Sequence, residues 1–212
     1  MRIIDCVQGT PEWKAARAGN ITASHAADIM ASIKSGEAAS RRNYRARLVC
    51  ETLTGEPVEE DFQSGPMLWG VEHETPARDL YGALTLQTVT QVGLVLHPTN
   101  DRIAASPDGL VGDKGLLEIK CPLTATHLNY LMAGVVPSEY RYQMWAQMLC
   151  CERNWCDFMS YDPRLPLEYQ YFICRFYRED KEIILLEASC KQFLAELDAT
   201  LAQLPKCVTI KL

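Results

Sequence analysis

Across residues 84–121 β-branched and apolar residues alternate with polar ones in runs separated by turn formers: "LTLQTVTQVGLVLH", the turn "PTND", "RIAASPDGL", the turn "VGDKG", then "GLLEIKC". Alternation of period two between turn signals predicts a meandering sheet. Upstream the apolar spacing is helical. Thr10 followed by Pro11 marks a helix start, with Gly19 as its stop and Arg17 near its C-terminus. A second helix is predicted to begin near Ser24, and a third to run over about 40–53 with Gly55 as its stop. A fourth is predicted over about 67–81 with Gly82 as its stop, and Pro76 within it demands a kink or a break. Beyond the sheet, helices are predicted over 124–133, stopped by Gly134, and 138–151; strands near 155–161 and 169–177 follow, then a long amphipathic helix over about 180–204. The fold class is therefore α/β (α+β), a central mixed sheet flanked by helices. No internal repeat, low-complexity tract or linker interrupts it, so residues 1–212 are expected to form a single domain.

Composition narrows the class. Hydrophobic residues at 48% and charged residues at 23% are globular values. No apolar run reaches membrane-spanning length, and "MRIIDCVQGTPEW" meets an acid, a proline and a tryptophan too early for a signal peptide, so a cytosolic protein without a membrane partner is expected. A net charge of −6 argues against a general polyanion binder, but its distribution is uneven: residues 1–47 carry +4 and the remainder −10. The basic character is concentrated where it could form one face. The nine cysteines are odd in number and lack CxxC spacing, which reads as reduced thiols, Cys150, Cys151 and Cys156 being the nearest to a cluster. The four histidines show neither HxH nor HExxH spacing.

One stretch carries chemistry. In "SPDGLVGDKGLLEIKCP" an acid follows a proline, and ten residues later a second acid and a lysine flank one apolar residue. On a strand Glu118 and Lys120 project from one face while Leu117, Ile119 and Cys121 enter the core on the other. If "GLVGDKG" turns the chain back, Asp108 comes beside Glu118. Two carboxylates with the backbone carbonyl of Ile119 form an oxygen-rich set suited to Mg²⁺, or Mn²⁺ in its place. A metal there would activate a water and neutralise a phosphodiester, and Lys120 would orient that water and steady the transition-state charge. The same residues also read as a surface hairpin with an ordinary Glu/Lys pair.

The strands carrying "SPDG" and "LEIKCP" resemble the PD-(D/E)xK nuclease motif, within a restriction-endonuclease-like core. The chain as a whole resembles the lambda exonuclease, or YqaJ-type viral recombinase, branch of that superfamily. The resemblance is carried by "EWKAARAGNITAS" (12–24), "LWGVEHE" (68–74), "SPDGL", "LEIKCP", and "YRYQMWAQM" (140–148) with "YDPR" (161–164). It implies a 5′-to-3′ exonuclease that degrades one strand of linear duplex DNA from 5′-phosphorylated ends, leaving a 3′ overhang for a single-strand annealing protein. It also implies a homotrimeric ring and a phage- or prophage-encoded protein acting in the cytoplasm of a bacterial host. Carried onto this sequence, Asp108 and Glu118 match metal ligands, Lys120 the catalytic lysine, and Glu74 a supporting acid. Arg17, Ser24, Ser106 and Gln143 match a pocket for the 5′-phosphate, Leu68 an apolar wedge at the duplex end, and Lys34 a basic contact to duplex DNA that Arg41, Arg42 and Arg45 could extend. Glu37 makes the loop over 34–40 less basic than such a track requires. A structure-specific endonuclease of the same fold would keep Asp108, Glu118 and Lys120 without an end pocket, and a non-catalytic binding module is the third reading.

Overall fold

The computed structural model describes residues 1–58 and 65–205. Helix α1 (Pro11–Arg17) begins as its sequence dictates: the Thr10 hydroxyl oxygen accepts from the Trp13 amide, and Pro11 occupies the first turn. A 3-10 turn (Ala23–His25) leads into the short α2 (Ala26–Met30), and α3 (Ala39–Thr54) ends on left-handed Gly55. Helix α4 (Gly65–Thr85) departs from expectation twice. It continues past Gly82, so Leu84 is helical and not the start of a strand. It also accepts Pro76 without a break, because that turn is exposed and water can satisfy the carbonyl that proline leaves unbonded. Helices α5 (Thr124–Ala133), α6 (Arg141–Cys151) and α7 (Asp180–Gln203) lie where their apolar spacing predicts.

The strands are β1 (Arg2–Ile4), β2 (Ile21–Thr22), β3 (Val89–Thr90), β4 (Leu94–Leu96), β5 (Ile103–Ala105), β6 (Gly109–Val111), β7 (Gly115–Lys120), β8 (Trp155–Tyr161) and β9 (Tyr171–Tyr177). The mixed β core flanked by helices is present, and its strands divide between two sheets, ordered β1-β4-β5-β2 and β3-β6-β7-β8-β9. The split falls within "RIAASPDGL", which reads as one strand. The chain leaves the first sheet after Ala105 and joins the second at Gly109, and Pro107 between them has no amide to donate to a ladder. Asp108 thus sits at the crossing between sheets. Within the second sheet β7 pairs antiparallel with β6 and parallel with β8, which sets Lys120 opposite Ser160.

Both faces of β7 are covered. Leu116 faces a large cluster built with α2, α3, α6 and α7, whereas Leu117 and Ile119 pack with Ala77 and Tyr81 of α4. Glu118 therefore does not lie on a surface hairpin: it points with Leu116 under α6 and is 1% exposed. A carboxylate in that position is costly unless it is hydrogen-bonded and paired.

Candidate active site

Both carboxylate oxygens of Glu118 are hydrogen-bonded. Its Oε1 takes the Lys120 ammonium and, at 2.6 Å, the Gln143 amide; its Oε2 takes the Gln147 amide at 2.5 Å. Gln143 and Gln147 are four residues apart on α6 and so share one helix face. Asp108 approaches from the sheet crossing and accepts the Ile119 amide at 2.6 Å. From the α4 side, buried Arg78 ion-pairs with Glu74 and donates Nε to the Asp108 carbonyl at 2.8 Å. Lys120 lies over the Tyr140 ring, its Nζ 5.1 Å from the centroid. Helices α4 and α6, strand β7 and the crossing between the sheets thus converge on one polar cluster in the protein interior.

Burial raises the Asp108 carboxyl well above the ordinary carboxylate range, and Glu118 and Glu74 add to that; Lys120 and the Ile119 amide pull the other way. Burial raises Glu74 as well, against the opposing charges of Arg78 and Lys120. Burial disfavours the Lys120 ammonium, but Glu118 and Asp108 outweigh it, so Lys120 is more basic than a free lysine and stays charged at neutral pH. Three crowded acids face two cations here, an electrostatic imbalance that a divalent cation would relieve. Asp108, Glu118 and the Ile119 carbonyl offer hard oxygen donors, which fits Mg²⁺ or Mn²⁺. Among the described residues no group of three or more His, Cys, Asp or Glu is gathered as a metal cage. Two carboxylates with water completing the shell is a common way to hold Mg²⁺.

Two of the residues matched to the phosphate pocket meet directly: Arg17 donates to the Ser24 hydroxyl at 3.4 Å. Ser106 joins them through a residue that sequence reasoning passed over. The Trp13 indole donates to Ser106 Oγ at 2.8 Å, and the Arg17 guanidinium lies 3.9 Å above the Trp13 ring. Trp13 therefore fixes Arg17 on a platform tied to the chain two residues before Asp108, a span of roughly 7 Å at most. Arg17 and Trp13 also line a cavity of about 500 Å³ with Lys14, His25 and Tyr44. Gln143 is turned to Glu118 and bonded to the carboxylate.

The outlying residues are less gathered. Leu68 is 54% exposed in the first turns of α4 and is not core. Lys34 is exposed in the loop before α3, as is Arg42 on it. Arg41 and Arg45 are not a bare basic track: both ion-pair with Glu37 and Glu196, which cancels their charge locally. The eight described cysteines are free thiols, with Cys207 outside the described residues. No helix among the described residues is long and apolar enough to cross a membrane.

Comparison with known proteins gives this geometry a context. The model of the YqaJ-like viral recombinase domain matches residues 12–154, a span holding Trp13, Arg17, Glu74, Asp108, Glu118, Lys120, Gln143 and Gln147. Two crystal structures of the alkaline exonuclease LHK-Exo from Laribacter hongkongensis, one in complex with dAMP, are 48% identical over 91% of this chain and 95% of theirs, with TM-scores of 0.83 and 0.85. A phage-related exonuclease from Haemophilus somnus 129PT, at 14% identity over 87% of this chain and 96% of its own, shares the fold with a TM-score of 0.69. No curated protein sequence matches the chain. By the family model and the 48% identity together, this chain belongs to the YqaJ-like viral recombinase domain family, a family of nucleases.

Proposed function

We propose that the protein is a Mg²⁺-dependent exonuclease that removes nucleotides 5′ to 3′ from one strand of linear duplex DNA, starting at 5′-phosphorylated ends and leaving a 3′ overhang for a single-strand annealing protein. The observation that carries this reading is the short link from Arg17 to Asp108. Arg17 rests on Trp13, Trp13 is bonded to Ser106, and Ser106 lies two residues before the acid of the carboxylate pocket. An anion held by Arg17 and Ser24 would therefore sit beside the reacting groups, as an exonuclease requires and an internal cutter does not. Arginine suits that task because its planar fork matches phosphate oxygens.

Asp108, Glu118 and the Ile119 carbonyl would hold the metal, which when bound supplies an activated water and charge neutralisation at the phosphodiester. Lys120, kept cationic by its two acids, donates to a phosphate oxygen and steadies the added negative charge of the transition state. Gln143 and Gln147 hold the Glu118 carboxylate in one orientation, and Arg78 holds Glu74 near it. Leu68, exposed and apolar, would wedge the duplex end, and Lys34, also exposed, would meet its backbone. A ring of three subunits would keep the enzyme on DNA between cuts.

The test is digestion of linear duplex DNA carrying a 5′-phosphate or a 5′-hydroxyl on one labelled strand, in Mg²⁺ or in EDTA, with a closed circle alongside. The reading expects metal-dependent loss of the 5′-phosphorylated strand with the circle intact. Cutting of the circle would replace it with a structure-specific endonuclease.

A further inference from the structure

The "YDPR" segment over 161–164 has no part in the site described so far, yet it is built with unusual care. Asp162 is completely buried, and its carboxylate is met from several sides. Thr124 donates to it at 2.6 Å, the Arg164 amide at 3.1 Å, and the Arg164 guanidinium through Nε at 2.7 Å and Nη2 at 2.9 Å. Burial alone would raise this carboxyl, but the hydrogen bonds from Arg164 and Thr124 hold it at about 2, so it is an anion at any working pH. The guanidinium is fixed further by the Pro122 carbonyl, 3.1 Å from Nη2, and lies 4.3 Å above the Trp69 ring, which itself stacks on His73.

Arg164 is thus held by its inner edge only. Its side chain remains 40% exposed, and Nη1 has no partner among the described residues. A guanidinium needed only to neutralise Asp162 could be sunk with it. Location adds to the argument. β8 runs parallel to β7 with Ser160 opposite Lys120, so the chain leaves Tyr161 on the same side as it leaves Lys120, and Tyr161 packs in one cluster with Ile119 and Cys121. Trp69, the platform beneath Arg164, is the neighbour of exposed Leu68 and lies five residues before Glu74 on α4.

We infer that Arg164 is a DNA-contacting residue, a pre-oriented cation that takes one backbone phosphate of the duplex at the edge of the active site between the start of α4 and the end of β7. A planar, stacked arginine loses little side-chain freedom on binding, which suits a phosphate contact made anew after each step along a strand. This rests on the reading of the protein as a DNA nuclease.

The experiment measures equilibrium binding of a short labelled duplex in EDTA, so that nothing is cut, as a function of salt from 50 to 200 mM, for the wild type and for Arg164→Gln. Each phosphate contact contributes about 0.9 to the slope of log affinity against log salt. The variant is therefore expected to bind more weakly at 50 mM and to show a slope smaller by about 0.9, so that its affinity falls about 3.5-fold less than that of the wild type over this range. An unchanged slope, even with weaker binding or a lower melting temperature, would reduce Arg164 to a clamp between α4 and the β8 exit and overturn the inference. The variant Asp162→Asn/Arg164→Gln, which leaves no buried unpaired carboxylate, supplies the same comparison should the single variant not fold. Wild-type protein that binds no duplex would sink the nuclease reading itself, a result distinct from an unchanged slope.

Discussion

At the scale of single residues, what separates this pocket from an ordinary buried ion pair is that Lys120 is held by one acid while a second, Asp108, is left short of positive charge. Lys120→Ala is expected to lower cleavage by at least about 100-fold while DNA binding in EDTA is retained, measured by single-turnover digestion beside a binding titration. Arg17→Ala should act differently. It is expected to reduce the preference for 5′-phosphate over 5′-hydroxyl ends by about tenfold or more, the scale of one charge-assisted contact, and an unchanged ratio in competing digests would remove Arg17 from the end pocket. Asp162 gives a pH dependence with a definite sign. Its pKa in the folded chain, about 2, lies below the ordinary 3.8, so its contribution to stability is present above pH 4 and is lost as pH falls towards 2. Urea unfolding should find Asp162→Asn less stable than the wild type by at most about 2 kcal/mol at pH 6, with the gap closing near pH 2. That Asp108, Glu118 and Lys120 come together was legible in the sequence because it follows from spacing on adjacent strands. Gln147, Arg78 and Trp13 were not, because they act on residues 29, 30 and 93 positions away, and no local pattern records such a contact.

At the scale of elements, strand β7 depends on close backbone packing as much as on its charges. Gly115 opens β7 directly against the Trp155 ring of β8, and a Cβ at that position would overlap the indole. Gly115→Ala is expected to cost about 1–3 kcal/mol in chemical denaturation, the usual penalty for overpacking, and to lower activity through displaced β7. Helix limits set by caps and stops could be read in advance at α1, α3 and α5, where Thr10, Gly55 and Gly134 act locally. The α4 limit could not, because apolar packing of Ala77 and Tyr81 against β7 outweighs the local preference of Gly82 to end the helix and of Pro76 to break it. β1 and β2 were invisible for a related reason: strands of three and two residues carry too few positions to show alternation, and both exist through pairing with β4 and β5.

At the scale of the whole molecule, two sheets meet where "SPDG" crosses between them, and α6 closes over the junction. A nuclease that stays on its substrate gains from enclosing it, and sedimentation of the full chain is expected to give a species three times the 23.9 kDa subunit mass; a monomer at micromolar concentration would remove the ring from the proposed function. The chain by itself determined the helix and strand texture, the acid, acid, lysine set, and the likeness across its length to YqaJ-type nucleases, because those are matters of residue type and spacing along a line. Only the tertiary structure decided that Glu118 is buried under two glutamines, that Arg17 stands on Trp13, that Arg41 and Arg45 are neutralised by Glu37 and Glu196, and that Arg164 lies against Trp69 with one edge open. Each of these is a contact between distant segments, and the energies that fix it, burial, hydrogen bonding and charge pairing, act only once the fold has brought the partners within reach.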